Sequence, residues 1–169
     1  MPSSITLRPV SPSDESFLLE VYASTRADEL ALTDWNQQQR QAFIEMQFAA
    51  QQHYYRAQFP EAEHSIILLN NIRAGRLYVA RRKEEIRILD IAMAVEHRNA
   101  GIGSTILKGL IREAEERGTS VRIYVERPNP SLRLFERLGF SSAETTPTHF
   151  LMEWQPRPPR DDQAKKSDG

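Results

Sequence analysis

The sequence predicts an α/β (α+β) domain, and three observations carry that prediction. Apolar and polar residues alternate in short runs near both ends of the chain; a 3.6-residue apolar stripe follows residue 101; and strand and helix patterns interleave as strand, two helices, three strands, helix, strand, helix and two strands. A length of 169 residues favours one core, and 40% hydrophobic with 27% charged residues is ordinary for a soluble domain.

Ser4 to Pro9 reads as the first strand, Ile5 and Leu7 alternating with Thr6 and Arg8. Ser13-Asp14 is placed to cap a helix carrying Phe17, Leu18, Val21 and Tyr22. A long polar-amphipathic helix runs from about Gln37 to Gln58, with Phe43, Ile44, Gln47 and Phe48 on adjoining positions. His64 to Leu69 and Ala74 to Arg81 form a hairpin around Asn70-Asn71. An apolar strand starts at Ile86. The helix Gly101 to Arg117 follows, with Ile102, Ile106, Leu107, Leu110, Ile111 and Ala114 on one stripe and Gly118 as its stop. Val121 to Val125, Phe140 to Ala143 and His149 to Trp154 supply the last strands. Between the first two lies a short helix opened by Asn129-Pro130 and stopped by Gly139. Residues 1–155 form one domain, and the proline-rich, charged stretch from Pro156 to Gly169 reads as a disordered tail.

The stretch from Ile86 to Ile106 carries the strongest functional signal. An apolar strand passes through a polar link, Glu96 to Ala100, into Gly101-Ile102-Gly103 at a helix start. The first N–H groups of a helix have no intrahelical partner and carry the positive end of its dipole, so an anion there gains roughly 0.3–1 kcal/mol plus direct hydrogen bonds. Gly101 and Gly103 allow the backbone angles and close approach this needs, and Arg98 adds a fixed charge. A dinucleotide-binding turn competes, with Glu126 as its ribose acid. Against it stand Ile106 in place of the third glycine, the polar link where that fold turns at once, and too little chain after Glu126 for a second mononucleotide half.

Arg98-Asn99-Ala100-Gly101-Ile102-Gly103 after a strand resembles the acetyl-CoA pyrophosphate loop of the GNAT-type N-acetyltransferases. Asn129 to Phe140, an Asn followed by a short helix ending in Leu138-Gly139-Phe140, resembles that family's second signature. The motifs and the elements around them cover residues 5 to 154. The resemblance implies the acyl-CoA N-acyltransferase fold, a mixed, mostly antiparallel sheet with helices on both faces. In it the motif strand and the next strand splay apart and the cofactor's pantetheine inserts between them. It further implies acetyl-CoA as co-substrate, with backbone contacts from Ile91, Ala92 and Met93 and phosphate contacts from Arg98, Asn99, Ala100, Gly101, Ile102, Gly103 and Ser104. Asn129 takes a pantetheine or adenine-side role, and Phe135 lies on the cofactor side. There the chain departs from the family: Phe135 stands where a Tyr general acid is usual, and Asn129 precedes it by six residues where seven is commoner.

Acyl transfer needs the neutral amine, and a lysine-like amine with pKa about 10.4 is neutral only about once in 10³ near neutral pH, a cost near 4 kcal/mol. Asp90, inside an apolar strand, is either the carboxylate that takes this proton, directly or through water, or a structural acid paired with Arg87 or Arg76. Glu126 is the second candidate base, and Glu85 reads as a solvated charge. Tyr124 is the candidate substitute acid, or otherwise a half-buried strand aromatic. The backbone N–H near Met93 would polarise the thioester carbonyl. Without Cys there is no thiol to carry an acyl group, which favours direct attack in a ternary complex.

The absence of Cys also excludes disulfides and thiolate metal sites; no metal is expected, and a cytoplasmic setting is. No signal peptide or membrane-length apolar run appears, and a net charge of −1 gives no reason to expect nucleic acid. A homodimer is compatible with the pattern. Residues 1–64 hold four arginines against nine acids, which favours a cationic amine. Gln47, Gln51, His53, Tyr54 and Tyr55 are candidates to line its pocket, although Tyr54-Tyr55 suit the core equally. The expected activity is acetyl transfer from acetyl-CoA to a primary amine of a small molecule or peptide. The alternative, which Phe135 favours, is a non-catalytic CoA-binding sensor or interaction module of the same fold.

Overall fold

In the computed structural model, which describes residues 4–126 and 131–156, the alternating segments become seven strands. They are β1 (Ile5–Pro9), β2 (Glu63–Leu69), β3 (Ile72–Arg81), β4 (Glu85–Met93), β5 (Ser120–Glu126), β6 (Ser141–Thr145) and β7 (His149–Trp154). They form one sheet in the order β1-β2-β3-β4-β5-β7-β6, antiparallel throughout except for the parallel pair β4 and β5. The helices are α1 (Glu15–Thr25), α2 (Ala27–Ala31), α3 (Gln37–Gln58), α4 (Ile102–Arg117) and α5 (Leu132–Arg137). Asn129, Pro130 and the tail beyond Pro156 lie outside the described residues.

Local chemistry accounts for most boundaries. Asn36 accepts from the Gln39 backbone N–H at 2.8 Å while the Gln39 side chain accepts from Asn36 N–H at 2.9 Å, a reciprocal cap that starts α3. Asn70 and Asn71 have φ of 52° and 67°, the pair of positive angles that a tight hairpin between β2 and β3 requires. The short α2 was not expected from the sequence: Arg26, at φ −106° and ψ 2°, separates it from α1.

Two apolar cores lie on opposite faces of the sheet, because side chains alternate along each strand. Ile67, Val79, Ile88 and Ile123 pack against Ile102, Leu107 and Leu110 of α4 on one face. On the other, Ile66 packs with Phe17, Leu18 and Val21 of α1 and with Ile44 and Phe48 of α3.

The expected cap by Asp14 is corrected. Asp14 stands at the N-cap of α1, but its carboxylate makes no cap hydrogen bond to that helix and is fully buried. Arg8 of β1 binds both its oxygens, at 2.7 and 2.8 Å, and Ser11 N–H donates to it at 2.8 Å. An ion pair to the neighbouring strand outcompetes the local cap.

His64 introduces a pH dependence. Its ring stacks on Tyr78, 4.3 Å between centroids, and its Nε2 is buried without a partner. Burial, then the charge of Arg76, lowers its pKa from 6.5 to about 4. The unfolded chain therefore takes up the proton first, so stability is unaffected above pH 6.5 and falls between there and pH 4, by on the order of 3 kcal/mol in total. Melting temperatures recorded across that window should decline for the native protein and stay flatter for His64→Phe.

Candidate functional site

The parallel ladder between β4 and β5 runs only from Glu85 and Ser120 to Ile88 and Ile123. Beyond it Leu89–Met93 and Tyr124–Glu126 continue without pairing to each other, so the two strands part at one end of the sheet. The cause lies in β4: Tyr78 pairs with Asp90 and Val79 with Ile88, leaving Leu89 as an extra residue, a bulge that bends the strand. Tyr55 of α3 donates its hydroxyl to the Leu89 carbonyl at 2.8 Å. Burial, with the nearby Asp90 charge adding to it, pushes the Tyr55 phenol pKa up, so the group stays a donor. Tyr55 is thus a sheet contact, whereas Tyr54 is 57% exposed.

The polar link beyond β4 forms a 3-10 turn, Val95–His97, then extended Arg98, and Asn99 and Gly101 at positive φ of 60° and 80°. Gly101 occupies the N-cap of α4, which has no side-chain cap, so its first-turn N–H groups are not claimed by a capping side chain. Among the described residues, a Cβ at Gly103 would meet only Leu134, at 4.0 Å, an ordinary van der Waals distance. The Ile102 side chain is core, 2% exposed, and only its backbone is available. Arg98 is exposed and donates to Ser24 Oγ of α1 at 2.8 Å.

Three carboxylates were singled out in the sequence. Asp90 pairs through Oδ2 with Arg76 Nε, not with Arg87, and Arg76 Nη2 reaches Gln51 at 2.7 Å. Arg76 is 1% exposed and Asp90 29%. Among the described residues, Asp90 Oδ1 has no hydrogen-bond partner. Glu126 is held at both oxygens by Arg26, 2.8 Å each. Burial alone would lower the Arg26 pKa, but the Glu126 hydrogen bonds and charge outweigh it and the net shift is upward. Glu85 is not a solvated charge: it is 6% exposed and ion-paired with Arg87 and, at 2.8 Å, with Arg122.

Tyr124 stands one residue past the last β4–β5 pair, 47% exposed, with the Arg87 guanidinium 5.1 Å over its ring. Phe135 is not on an open wall. It is 4% exposed and packs edge-on against Phe140, centroids 5.4 Å apart.

Residues 27–140, more than half the chain, match the acetyltransferase (GNAT) family model. The chain belongs to that family. Solved GNAT structures share its fold at low identity. The PaiA N-acetyltransferase of Thermoplasma acidophilum, solved in complex with coenzyme A, is 19% identical with a TM-score of 0.67, covering 90% of this chain and 99% of that one. The ribosomal-protein-S18-alanine N-acetyltransferase of Escherichia coli is 19% identical with a TM-score of 0.57, over 94% and 98% of the two chains. A GNAT acetyltransferase of Elizabethkingia anophelis with acetyl-CoA bound is 19% identical at 0.56, over 89% and 97%. No curated protein sequence matches the chain. Among the described residues, no helix of this GNAT domain is long and apolar enough to cross a membrane.

Sequence reasoning missed the Arg26–Glu126 and Arg98–Ser24 contacts, which join α1 and its end to the motif loop and β5. Nothing local marks them, because both partners are far apart in the chain.

Proposed function

We propose that this GNAT protein transfers an acetyl group from acetyl-CoA to a primary amine by direct attack in a ternary complex. The observation that carries the reading is the juxtaposition of an uncapped, glycine-opened α4 N-terminus with the β4–β5 splay that leads to it. In this reading the α4 N–H groups and Arg98 hold the pyrophosphate, and the pantetheine lies along Ile91, Ala92 and Met93. The Met93 N–H stabilises the negative charge that develops on the thioester oxygen.

Asp90 is the better base. Glu126 has both oxygens committed to Arg26, whereas Asp90 keeps Oδ1 for the ammonium or for a water between them. Tyr124 is the available hydroxyl for the departing sulfur. A thiolate with an unassisted pKa near 8.5 leaves at neutral pH for a penalty of about 2 kcal/mol, so this donor adds rate without being obligatory. The acidic first third of the chain supports a cationic acceptor, although Asp14, Glu29, Glu61 and Glu63 are already paired with arginines.

The absence of a hydroxyl at Phe135, where the family usually carries a Tyr general acid, favours a second reading, a CoA-binding module without turnover. Release of free thiol from acetyl-CoA, measured against polyamines, amino acids, aminoglycosides and peptides, separates the two. Amine-dependent release with a product heavier by one acetyl group supports the enzyme. CoA binding without release from any acceptor supports the module.

A further inference from the structure

Gly75 lies inside β3, opposite Met93 of β4, in a position where a strand gains nothing from glycine. A Cβ there would overlap the Ala92 carbonyl oxygen, and would stand 3.0 Å from Met93 Sδ and 3.1 Å from Met93 Cα. The Ala92 carbonyl therefore lies on the β3 side of β4, pressed against the bare Gly75 α-carbon. In a trans peptide the carbonyl and the following N–H point in opposite directions. The Met93 N–H accordingly points away from β3, into the space where β4 and β5 part.

Both ends of this segment are fixed. Ala94 N–H donates to the Ala74 carbonyl at 2.8 Å, and the Leu89 carbonyl is held by Tyr55. The Ala92–Met93 peptide cannot turn freely between these anchors, so an atom placed between it and β3 must displace it.

We infer that Gly75 is a positioning residue for acetyl transfer: its missing side chain seats the Ala92 carbonyl against β3 and so aims the Met93 N–H at the thioester. The inference rests on the proposed reading of the splay as the acetyl-CoA site. Gly75 touches neither substrate nor cofactor and acts through the β4 backbone.

The test compares Gly75→Ala with the native protein in three measurements. CoA itself, bound through its pyrophosphate, should keep its Kd within about threefold. Turnover of acetyl-CoA per folded molecule should fall roughly 10²- to 10³-fold, the loss typical of removing one oxyanion donor. The carbonyl stretch of bound acetyl-CoA carrying ¹³C at the acetyl carbonyl should lie below its solution frequency in the native protein and return toward it in the variant.

Unchanged turnover, or a parallel loss of CoA affinity and rate, overturns the inference. The double variant Gly75→Ala with Met93→Ala should not recover rate, because the overlap is with backbone. Recovery would mean that side-chain crowding was the cause, and would overturn it too. If Gly75→Ala does not fold, the carbonyl frequency in the native protein decides, since an unshifted band removes the Met93 donor. Failure of the native protein to bind acetyl-CoA would instead overturn the underlying reading of the site.

Discussion

Asp90→Asn lowers kcat/KM for acetyl transfer by roughly 10²-fold or more at neutral pH and steepens its rise with pH, while CoA affinity stays near the native value. The amide keeps the shape of the carboxylate but cannot take a proton, so the reaction waits for the small fraction of amine already neutral. The same substitution costs stability. Arg76 is 1% exposed and would keep its charge without a counter-ion. Breaking a fully buried pair costs about 3–5 kcal/mol, and the 29% exposure of Asp90 brings this one nearer to about 2 kcal/mol. A second substitution separates the two effects. Arg76→Met in the Asp90→Asn background removes the orphaned cation, so melting temperature recovers and rate does not. If rate per folded molecule recovers with stability, Asp90 is structural and Glu126 is the next residue to replace.

Asp14→Ala is expected to destabilise the fold from outside the site. It leaves Arg8, Arg73 and the Ser11 N–H, now within 2.7 to 3.4 Å of the carboxylate, without their acceptor. Arg8 and Arg73 are 38% and 43% exposed, so water replaces much of the lost pairing, and the melting temperature is expected to fall by about 3–6 °C for a chain of this size. Arg8, by hydrogen bond and charge, and Ser11 hold the Asp14 carboxyl well below the usual range. Its contribution is therefore complete above the unfolded pKa near 3.9 and lost as pH falls toward the folded one. Acid titration of melting temperature should show that loss below about pH 4 in the native protein and little of it in Asp14→Ala. Because α1 carries Ser24 to Arg98 and leads into Arg26, a slack α1 should also weaken CoA binding.

The α4 loop was legible because its signals are local: a polar link, two glycines and an apolar stripe lie within about twenty residues. The hairpin at Asn70-Asn71 was legible for the same reason. The environment of Asp90 was not. Arg76 and Arg87 are equally plausible partners in the sequence, and the choice is made by the Leu89 bulge, which depends on Tyr55 from a distant helix. Glu85 was misread because a strand end usually meets solvent, whereas the parallel neighbour β5 brings Arg122 onto it. Phe135 carried only a motif-level signal, and its packing against Phe140 is a contact that the motif does not announce. Gly75 did leave a signal. A lone glycine in an apolar strand pattern marks close backbone approach, and here that approach lies on the side of β4 opposite the splay.

Thermal melting with and without CoA tests the central claim most directly. At 100 times its Kd, CoA should add about 2.7 kcal/mol and raise the melting temperature by roughly 5–10 °C, with no comparable response to NAD. In Gly103→Glu the rise should vanish while the unliganded melting temperature stays close to native. Among the described residues, the added Cβ meets Leu134 only at van der Waals distance, and the carboxylate beyond it would repel a pyrophosphate at the α4 N-terminus. A full CoA shift that survives in Gly103→Glu, or a larger shift with NAD, would contradict the assignment of the α4 N-terminus to CoA.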